Sequence, residues 1–202
     1  MGRIGIMGGT FNPIHLAHLS MAEQAYRQVK LDKVLFMPSK NPPHKAGVKI
    51  VSEKHREAMV RLAIKDISYF EFSDFEFKRE GITYSTQTLA LLHKQFPEDE
   101  FFFIMGADSL FYIEEWYHPD ELMRLASILP VGRGGSDEVR MEKYASLLRN
   151  KYGAKIQIIK MKHMNISSSC IRKLISEGES VKNYLPESVW RYIEQTGCYF
   201  VG

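Results

Sequence analysis

The sequence predicts an α/β fold, with a doubly wound parallel sheet and helices on both of its faces. Short apolar runs alternate with amphipathic segments along most of the chain, which is typical of strand–helix units joined by right-handed crossovers. Several runs are hydrophobic at consecutive positions, as in "EFFFIMG" at 100–106, the pattern of strands covered on both faces. In such sheets a ligand lies beyond the carboxyl ends of the strands, so the residues after each run are the first candidates for a site.

The apolar runs predict the strands, and the amphipathic segments between them predict the helices. The segment 52–66 shows the helical pattern clearly, because Ser52 can cap it and apolar residues recur at helical spacing. We find no linker, so we expect one domain spanning 1–202, with the C-terminal helices of about 166–202 packed on the same core. The predicted strands are 3–7, 33–38, 70–77, 100–106, 127–132 and 156–161, and the predicted helices are 16–30, 52–66, 85–95, 119–126, 138–151, 169–177 and 186–196.

The composition is that of a folded globular protein. The 202 residues are 45% hydrophobic and 25% charged, which argues against disorder. The net charge of +3 is too small to indicate a nucleic-acid partner, and no basic stripe is visible. A mild positive charge instead suits a small anionic ligand.

Cysteine usage and hydropathy indicate a reducing compartment. Cys170 and Cys198 form no CxxC pair, so free structural thiols are the simplest interpretation. No signal-peptide pattern opens the chain, and the longest apolar run, Phe101 to Met105, is far too short to span a membrane. We therefore expect a cytoplasmic protein with no membrane partner.

The loop after the first predicted strand carries the strongest local signal. Gly8 and Gly9 let the backbone approach a ligand, and the N–H groups of such a turn can cradle an anion together with the next helix N-terminus. His15 and His18, three residues apart, share one face if the helix has begun by His15. Imidazoles and free N–H groups around one point indicate a polyphosphate site.

Plainer interpretations of this loop exist. The glycine pair alone could be a tight turn, and the histidines could be one core and one surface residue. A metal pair is disfavoured, because His-x-x-His lacks both the spacing and the acid of the zinc-protease motif. The phosphate-binding patterns G-x-x-x-x-G-K-[ST] and G-x-G-x-x-G are both absent.

The stretch "NISSSCIRKLI" at 165–175 follows the last predicted strand. Its three serines, Ser167 to Ser169, would cap a helix whose first turns carry Arg172. Hydroxyls, free helix N–H groups and a guanidinium again suit a phosphate. The alternative is a plain N-cap with a surface arginine.

Taken together, the two stretches resemble the nucleotidyltransferase superfamily, which has a Rossmann-like fold. Its hallmarks are a G-x-[FT]-[DN]-P-x-H-x-[GA]-H loop and an I-S-S-[ST]-x-I-R helix start, which stand here as "GTFNPIHLAH" and "ISSSCIR". Within it, the chain most resembles the bacterial nicotinate mononucleotide adenylyltransferase family, in "MPSKNPPHK" (37–45), "GITYSTQTL" (81–89), "IMGADSL" (104–110) and the Trp116–Tyr117 pair. Asn12, Ala17 and Ser169 depart from the commoner Asp, Gly and Thr, and none of these changes removes a charged or imidazole group.

The resemblance implies transfer of AMP from ATP to the 5′-phosphate of nicotinate mononucleotide, which gives deamido-NAD and pyrophosphate. His15, His18 and Arg172 are then the catalytic candidates, and Lys45 could close over the phosphates on a loop that moves about Gly47. Mg²⁺ would be held mainly by the substrate phosphates and by water. The implied ATP-binding residues are Gly8, Gly9, Thr10, Phe11, Lys45, Ser167, Ser168, Ser169 and Arg133, the last with an exposed surface residue as the alternative.

The middle motifs would hold the second substrate. Trp116 would stack on the pyridinium ring, and backbone N–H groups near Ser85 and Tyr117 would meet the nicotinate carboxylate. Because Trp116 and Tyr117 are adjacent, we expect one of them to face away, with a core aromatic as the alternative for Trp116. Asp108 could bind ribose hydroxyls or simply cap a helix at 109–113. The implied nicotinate mononucleotide-binding residues are Ser85, Gly106, Asp108, Trp116 and Tyr117.

Three rival functions stay open at this point. Another adenylyl or cytidylyl transferase, such as the pantetheine-phosphate type, would lack the "SKNPPHK" and Trp-Tyr features. A nicotinamide-preferring version of the same enzyme cannot be separated by sequence, because backbone donors leave no sequence signal. A non-catalytic nucleotide sensor would have no need of His15, His18 and Arg172 together. Monomer and homodimer both stay open.

Overall fold

The computed structural model describes residues 1–41, 50–132, 136–162 and 164–200. Within them, six strands form one parallel sheet in the order β3-β2-β1-β4-β5-β6. The strands are β1 (Arg3–Gly9), β2 (Lys33–Pro38), β3 (Phe70–Phe72), β4 (Glu100–Gly106), β5 (Ser127–Gly132) and β6 (Ile159–Lys160). The α-helices are α1 (Leu16–Val29), α2 (Glu53–Ile64), α3 (Ser85–Gln95), α4 (Ala107–Phe111), α5 (Pro119–Leu125), α6 (Ser136–Tyr152), α7 (Ser168–Ser176) and α8 (Glu187–Thr196).

Helices cover both faces of the sheet, which confirms the predicted fold class. In β4, Phe102 and Ile104 point into the core on one face, while Phe101, Phe103 and Met105 point into the core on the other. The first core is closed by α1, α2, α7 and α8, and the second by α3, α4, α5 and α6. Because successive side chains of a strand alternate between faces, a strand buried on both sides must be apolar at every position, as the sequence showed.

The third and sixth predicted strands are shorter than expected. The strand predicted at 70–77 ends at Phe72, because the Ser73 hydroxyl accepts a hydrogen bond from the Phe75 N–H (3.4 Å) and the chain then turns. The strand predicted at 156–161 is reduced to Ile159–Lys160 and one separate bridge at Ile156. At this edge the Gln28 side chain bonds both the N–H (3.1 Å) and the carbonyl (2.7 Å) of Lys160, which closes the exposed strand edge.

The strand order reverses between the two central strands, β1 and β4. Their pairing brings the carboxyl ends of both strands, at Gly9 and Gly106, to the same edge of the sheet. In an open α/β sheet, this reversal leaves a crevice that connecting loops do not fill. The topology therefore places the candidate site between the loop after β1 and the start of α4.

The C-terminal segment packs on the loop that follows β1. The Tyr199 hydroxyl donates a buried hydrogen bond of 2.8 Å to Oδ1 of Asn12, which also accepts the Val51 N–H at 3.3 Å. The Leu16 N–H at the start of α1 is likewise bonded to the Tyr184 carbonyl at 3.0 Å. The ends of the chain thus support the same loop, and a single domain over 1–202 stays our prediction. Among the described helices, none is both long and apolar enough to cross a membrane.

The Tyr199–Asn12 contact gives a direct test of this support. We expect Tyr199→Phe to lower the free energy of unfolding by about 1–2 kcal/mol, because it deletes one buried hydrogen bond at almost constant volume. Denaturant unfolding measures the change, and Tyr112→Phe, at a 59% exposed tyrosine, is the matched control. Equal stability of the two variants would contradict the packing described.

Candidate active site

A cavity of about 810 Å³ opens at the carboxyl edge of the sheet, where β1 and β4 end. Its walls come from the loop after β1, the start of α3, the segment after α4 and the start of α7. Of the residues that the sequence predicted for the site, the following line this one cavity: Gly8, Gly9, Thr10, Phe11, His15, His18, Ser85, Gly106, Trp116, Tyr117, Ser167, Ser168, Ser169 and Arg172.

The loop after β1 is held in a tight conformation. Phe11 has φ = 48°, in the left-handed region that non-glycine residues rarely adopt, and it is buried. Its ring packs between Phe36 and His18, with centroids 5.9 and 5.1 Å away. A Cβ on Gly9 would lie 3.3 Å from the Phe11 ring, so glycine lets this ring fold back onto the strand end. Such strain persists only where the surroundings fix it, and it is common at ligand sites.

The two histidines lie together at the start of α1. The helix begins at Leu16, so His15 is its N-cap residue and His18 belongs to its first turn. Their rings stack with centroids 3.6 Å apart and an interplanar angle of 17°. The backbone N–H of His15 donates to Nδ1 of His18 at 3.3 Å. The cap geometry thus fixes the orientation of the His18 ring beside the cavity.

Burial keeps both imidazoles neutral at neutral pH. It lowers the pKa of His15 to about 4, and it lowers the pKa of His18 well below the ordinary value, with the His15 ring adding to the effect. Because Nδ1 of His18 accepts a hydrogen bond, the neutral ring must carry its proton on Nε2. His18 therefore presents a neutral N–H donor, the kind of group that can bond a phosphate oxygen.

The start of α7 meets the same loop from the opposite end of the chain. Nη1 of Arg172 donates to the Asn12 carbonyl at 2.8 Å, across 160 positions in the sequence. The Ser168 hydroxyl donates to the Pro13 carbonyl at 2.9 Å. Ser167 is the N-cap residue, because its Oγ accepts the Cys170 N–H at 3.2 Å. Arg172 is half-buried and lines the cavity, so it is not the plain surface arginine of the alternative interpretation.

The far wall of the cavity joins the N-terminus of α3 to the Trp116–Tyr117 segment. The buried Thr86 hydroxyl donates to the Tyr117 carbonyl at 2.7 Å. Tyr117 stacks on Tyr84 with centroids 4.3 Å apart, and Trp116 packs edge-on against Phe103. Both members of the pair line the cavity, and our expectation that one of the two side chains faces away stays a prediction. The pair directly follows a 3-10 turn at Ile113–Glu115, and Trp116 itself has extended backbone angles.

Three of the predicted site residues, Asp108, Lys45 and Arg133, are not among the described residues that line the cavity. Asp108 does not cap a helix at 109–113, because α4 begins at Ala107 with Gly106 as its N-cap. The Asp108 side chain is exposed and is not among the cavity-lining residues. Lys45 and Arg133 lie outside the described residues. Cys170 is exposed and Cys198 is half-buried, and both are free thiols.

The sequence interpretation missed several polar residues around the cavity. Arg56 is 1% exposed and bonds the carbonyls of Thr10 and Ser39. Glu76 is buried on the cavity wall, accepts a hydrogen bond from Thr88 at 2.8 Å, and has its pKa raised by burial. Arg56 lies among other charged residues of α2, and Glu76 lay within the strand wrongly predicted at 70–77, so neither residue carried a clear signal in the sequence.

The donors are suited to an anion rather than to a resident metal. No group of three or more His, Cys, Asp or Glu side chains able to hold a metal ion exists among the described residues. A hard cation such as Mg²⁺ prefers oxygen ligands, whereas His15, His18 and Arg172 present nitrogen. The arrangement can bind phosphate oxygens and can stabilise added negative charge on them.

The neutral state of His15 predicts a pH-dependent stability. Its pKa in the folded protein lies below the unfolded value, so the unfolded chain binds a proton first as the pH falls below about 6.5. Stability is therefore complete above that pH and declines towards pH 4. We expect His15→Asn, which keeps a good N-cap, to remove about 2 kcal/mol of the decline in unfolding free energy between pH 7 and pH 5.

Urea unfolding at the two pH values measures this difference. The exposed His118, which has a left-handed φ of 48° that asparagine tolerates, provides His118→Asn as the matched control. An unchanged pH slope in His15→Asn would mean that this imidazole is not held in its neutral form.

Comparisons with known proteins show the family to which the chain belongs. A family model described as cytidylyltransferase-like matches residues 6–174. A probable nicotinate-nucleotide adenylyltransferase of Lachnoclostridium phytofermentans is 45% identical over 199 residues, covering 98% of this chain and 100% of the relative. A probable nicotinate-nucleotide adenylyltransferase of Carboxydothermus hydrogenoformans is 40% identical over 197 residues, covering 98% of each chain.

Solved structures show the same fold. The nicotinic acid mononucleotide adenylyltransferase of Plasmodium falciparum, complexed with NaAD, is similar with a TM-score of 0.81 at 21% identity, covering 98% of each chain. A putative nicotinate-nucleotide adenylyltransferase from Vibrio parahaemolyticus is similar with a TM-score of 0.71, also at 21% identity, covering 98% of this chain and 96% of that one. On the family model and the full-length relatives, this chain belongs to the cytidylyltransferase-like family and, within it, to the nicotinate-nucleotide adenylyltransferases.

Proposed function

We propose that this protein transfers AMP from ATP to the 5′-phosphate of nicotinate mononucleotide and releases pyrophosphate. The observation that carries the proposal is that His18 and Arg172, from opposite ends of the chain, line one cavity at the sheet edge. The attacking group is already an anionic phosphate oxygen, so the reaction needs no protein base. It needs alignment of two phosphates and stabilisation of charge that grows on the α-phosphate and the leaving group.

The imidazoles act on the ATP phosphates. His18 donates its Nε2–H to an oxygen of the α-phosphate, because its Nδ1 is already occupied by the His15 N–H. A neutral donor in a buried site needs no solvent reorganisation as the negative charge develops. His15 holds the His18 ring by stacking and by this backbone bond, and its own Nδ1 has no partner among the described residues.

Arg172 and the start of α7 bind the leaving pyrophosphate. The guanidinium is anchored by one nitrogen on the Asn12 carbonyl, which leaves its other N–H groups for phosphate oxygens. Ser168 and Ser169 lie at the first turn of α7, where free backbone N–H groups and the helix dipole favour an anion. Lys45 and Arg133 stay candidates for the same phosphates.

The far wall receives the nicotinate mononucleotide. Trp116 offers a ring face to the positively charged pyridinium, and the first N–H groups of α3 face the carboxylate beside Ser85. Thr86 keeps this helix start against the carbonyl of Tyr117, so donors from two segments meet the same group. An amide would turn an N–H towards another donor, and nicotinamide mononucleotide is therefore disfavoured.

Mg²⁺ enters with ATP as part of the substrate. It neutralises charge on the phosphate oxygens and helps to align them when it is bound. The residues described above leave oxygen ligation to the phosphates and water, and they act by donating hydrogen bonds and by positioning.

One assay tests the proposal. ATP and Mg²⁺ are supplied with either nicotinate or nicotinamide mononucleotide, and pyrophosphate release is followed. We expect pyrophosphate release with nicotinate mononucleotide, and either slower release or none with nicotinamide mononucleotide. The kcat/KM for the nicotinate substrate should be at least about tenfold higher, which is equivalent to one charge-assisted hydrogen bond.

His18→Ala is the matched negative control and should reduce kcat by about 10²–10³-fold with a much smaller effect on ATP binding. Absence of pyrophosphate release with either substrate contradicts the enzymatic function. Preference for the amide contradicts the assigned substrate while leaving adenylyl transfer intact.

A further inference from the structure

Arg56 in α2 is a buried charge for which the reaction described above gives no role. It is 1% exposed, and burial lowers its pKa. Nη1 donates to two carbonyls at once, that of Thr10 at 3.1 Å and that of Ser39 at 2.6 Å. The guanidinium also lies over the Phe77 ring, 5.0 Å from its centroid. The negative charge of Glu53 raises the pKa of Arg56, but the effect of burial outweighs it.

The two carbonyls belong to the point where β1 and β2 separate. The strands pair up to Gly9 and Pro38, and the last ladder bond runs from the Ser39 N–H to the Gly9 carbonyl at 2.9 Å. In a parallel ladder the next bond would run from the Phe11 N–H to the Ser39 carbonyl. Arg56 takes that carbonyl instead, so the ladder stops before Phe11.

The second carbonyl fixes the direction of the same N–H. In a trans peptide the carbonyl and the following N–H point in opposite directions. Arg56 holds the Thr10 carbonyl from behind the loop, because Arg56 is not among the cavity-lining residues whereas Thr10 and Phe11 are. The Phe11 N–H therefore points away from Arg56, and it makes no hydrogen bond to a described residue.

We infer that Arg56 is a positioning residue for triphosphate binding, which ends the β1–β2 ladder and turns the Phe11 N–H towards the cavity as a donor to a phosphate oxygen. It touches no substrate and acts through the backbone of the loop. The inference rests on the proposed function only in naming ATP as the source of the triphosphate.

The charge of Arg56 supports the same conclusion. A buried cation is costly, and the two carbonyl dipoles and the charge of Glu53 offset only part of the cost, because burial is the largest effect on the pKa of Arg56. Both carbonyls that it bonds belong to cavity-lining residues, so phosphates in the cavity lie one residue away from the guanidinium and supply further negative charge. Anion binding and the buried cation thus stabilise each other.

Binding measurements on three variants test the inference without relying on turnover. Arg56→Met removes the donors and the charge, and Arg56→Lys keeps the charge on a shorter side chain. Arg61→Met is the matched control, because Arg61 lies on the same helix, stacks on Phe72 at 4.0 Å and bonds Glu57 on the surface. Calorimetry gives Kd for ATP, for inorganic tripolyphosphate and for nicotinate mononucleotide.

We expect Arg56→Met to weaken ATP and tripolyphosphate by about tenfold or more, with nicotinate mononucleotide changed by less than about twofold. Arg56→Lys should show the same pattern at a smaller size, and Arg61→Met should leave all three ligands unchanged. Unchanged ATP affinity, or equal weakening of ATP and the mononucleotide, overturns the inference. If Arg56→Met does not fold, the ratio of the two affinities in Arg56→Lys decides.

The two proposals fail in different ways. A wild-type protein that binds ATP but releases no pyrophosphate with either mononucleotide contradicts the proposed function. The role of Arg56 is then still decided by the affinities for ATP and tripolyphosphate.

Discussion

The hydrogen bond from Arg172 to the Asn12 carbonyl is the contact on which the candidate active site depends. It brings the start of α7 onto the loop after β1, and the Tyr199 hydroxyl fixes the side chain of the same Asn12. Without these contacts the guanidinium and the imidazole of His18 would have no reason to share a cavity. The long-range contacts are possible because the parallel sheet gathers strand ends, and the segments that follow them, at one edge.

Much of the fold could be predicted because it follows from local pattern. Strands buried on both faces, such as β4, must be apolar at consecutive positions, and helices such as α2 repeat at helical spacing with a serine cap. The cavity-lining residues of the loop after β1 could also be predicted, because glycines and paired histidines are rarely needed together for packing alone. The seven helices predicted from the sequence all exist. The further helix considered at 109–113 corresponds to α4, which begins two residues earlier, at Ala107.

The remaining features depend on contacts between distant segments, which leave no local pattern. Arg56 looks like an ordinary helix residue until β1 and β2 place two carbonyls at its guanidinium. Trp116 and Tyr117 both line the cavity, and the short 3-10 turn that precedes them has no periodicity to recognise. Edge strands such as β3 are short because side chains and turns end the strand pairing, and hydropathy alone does not predict where that pairing ends.

The central claim is that His18 is a neutral imidazole whose Nε2–H faces the ATP phosphates. Nitrogen-15 NMR of the histidine rings at pH 7, with and without ATP, measures the tautomer directly. The account predicts a protonated Nε2 and an unprotonated Nδ1 in the free protein, with the Nε2 proton shifted on ATP binding. A proton on Nδ1, a doubly protonated ring in the free protein, or an Nε2 resonance that ATP leaves unchanged would contradict it.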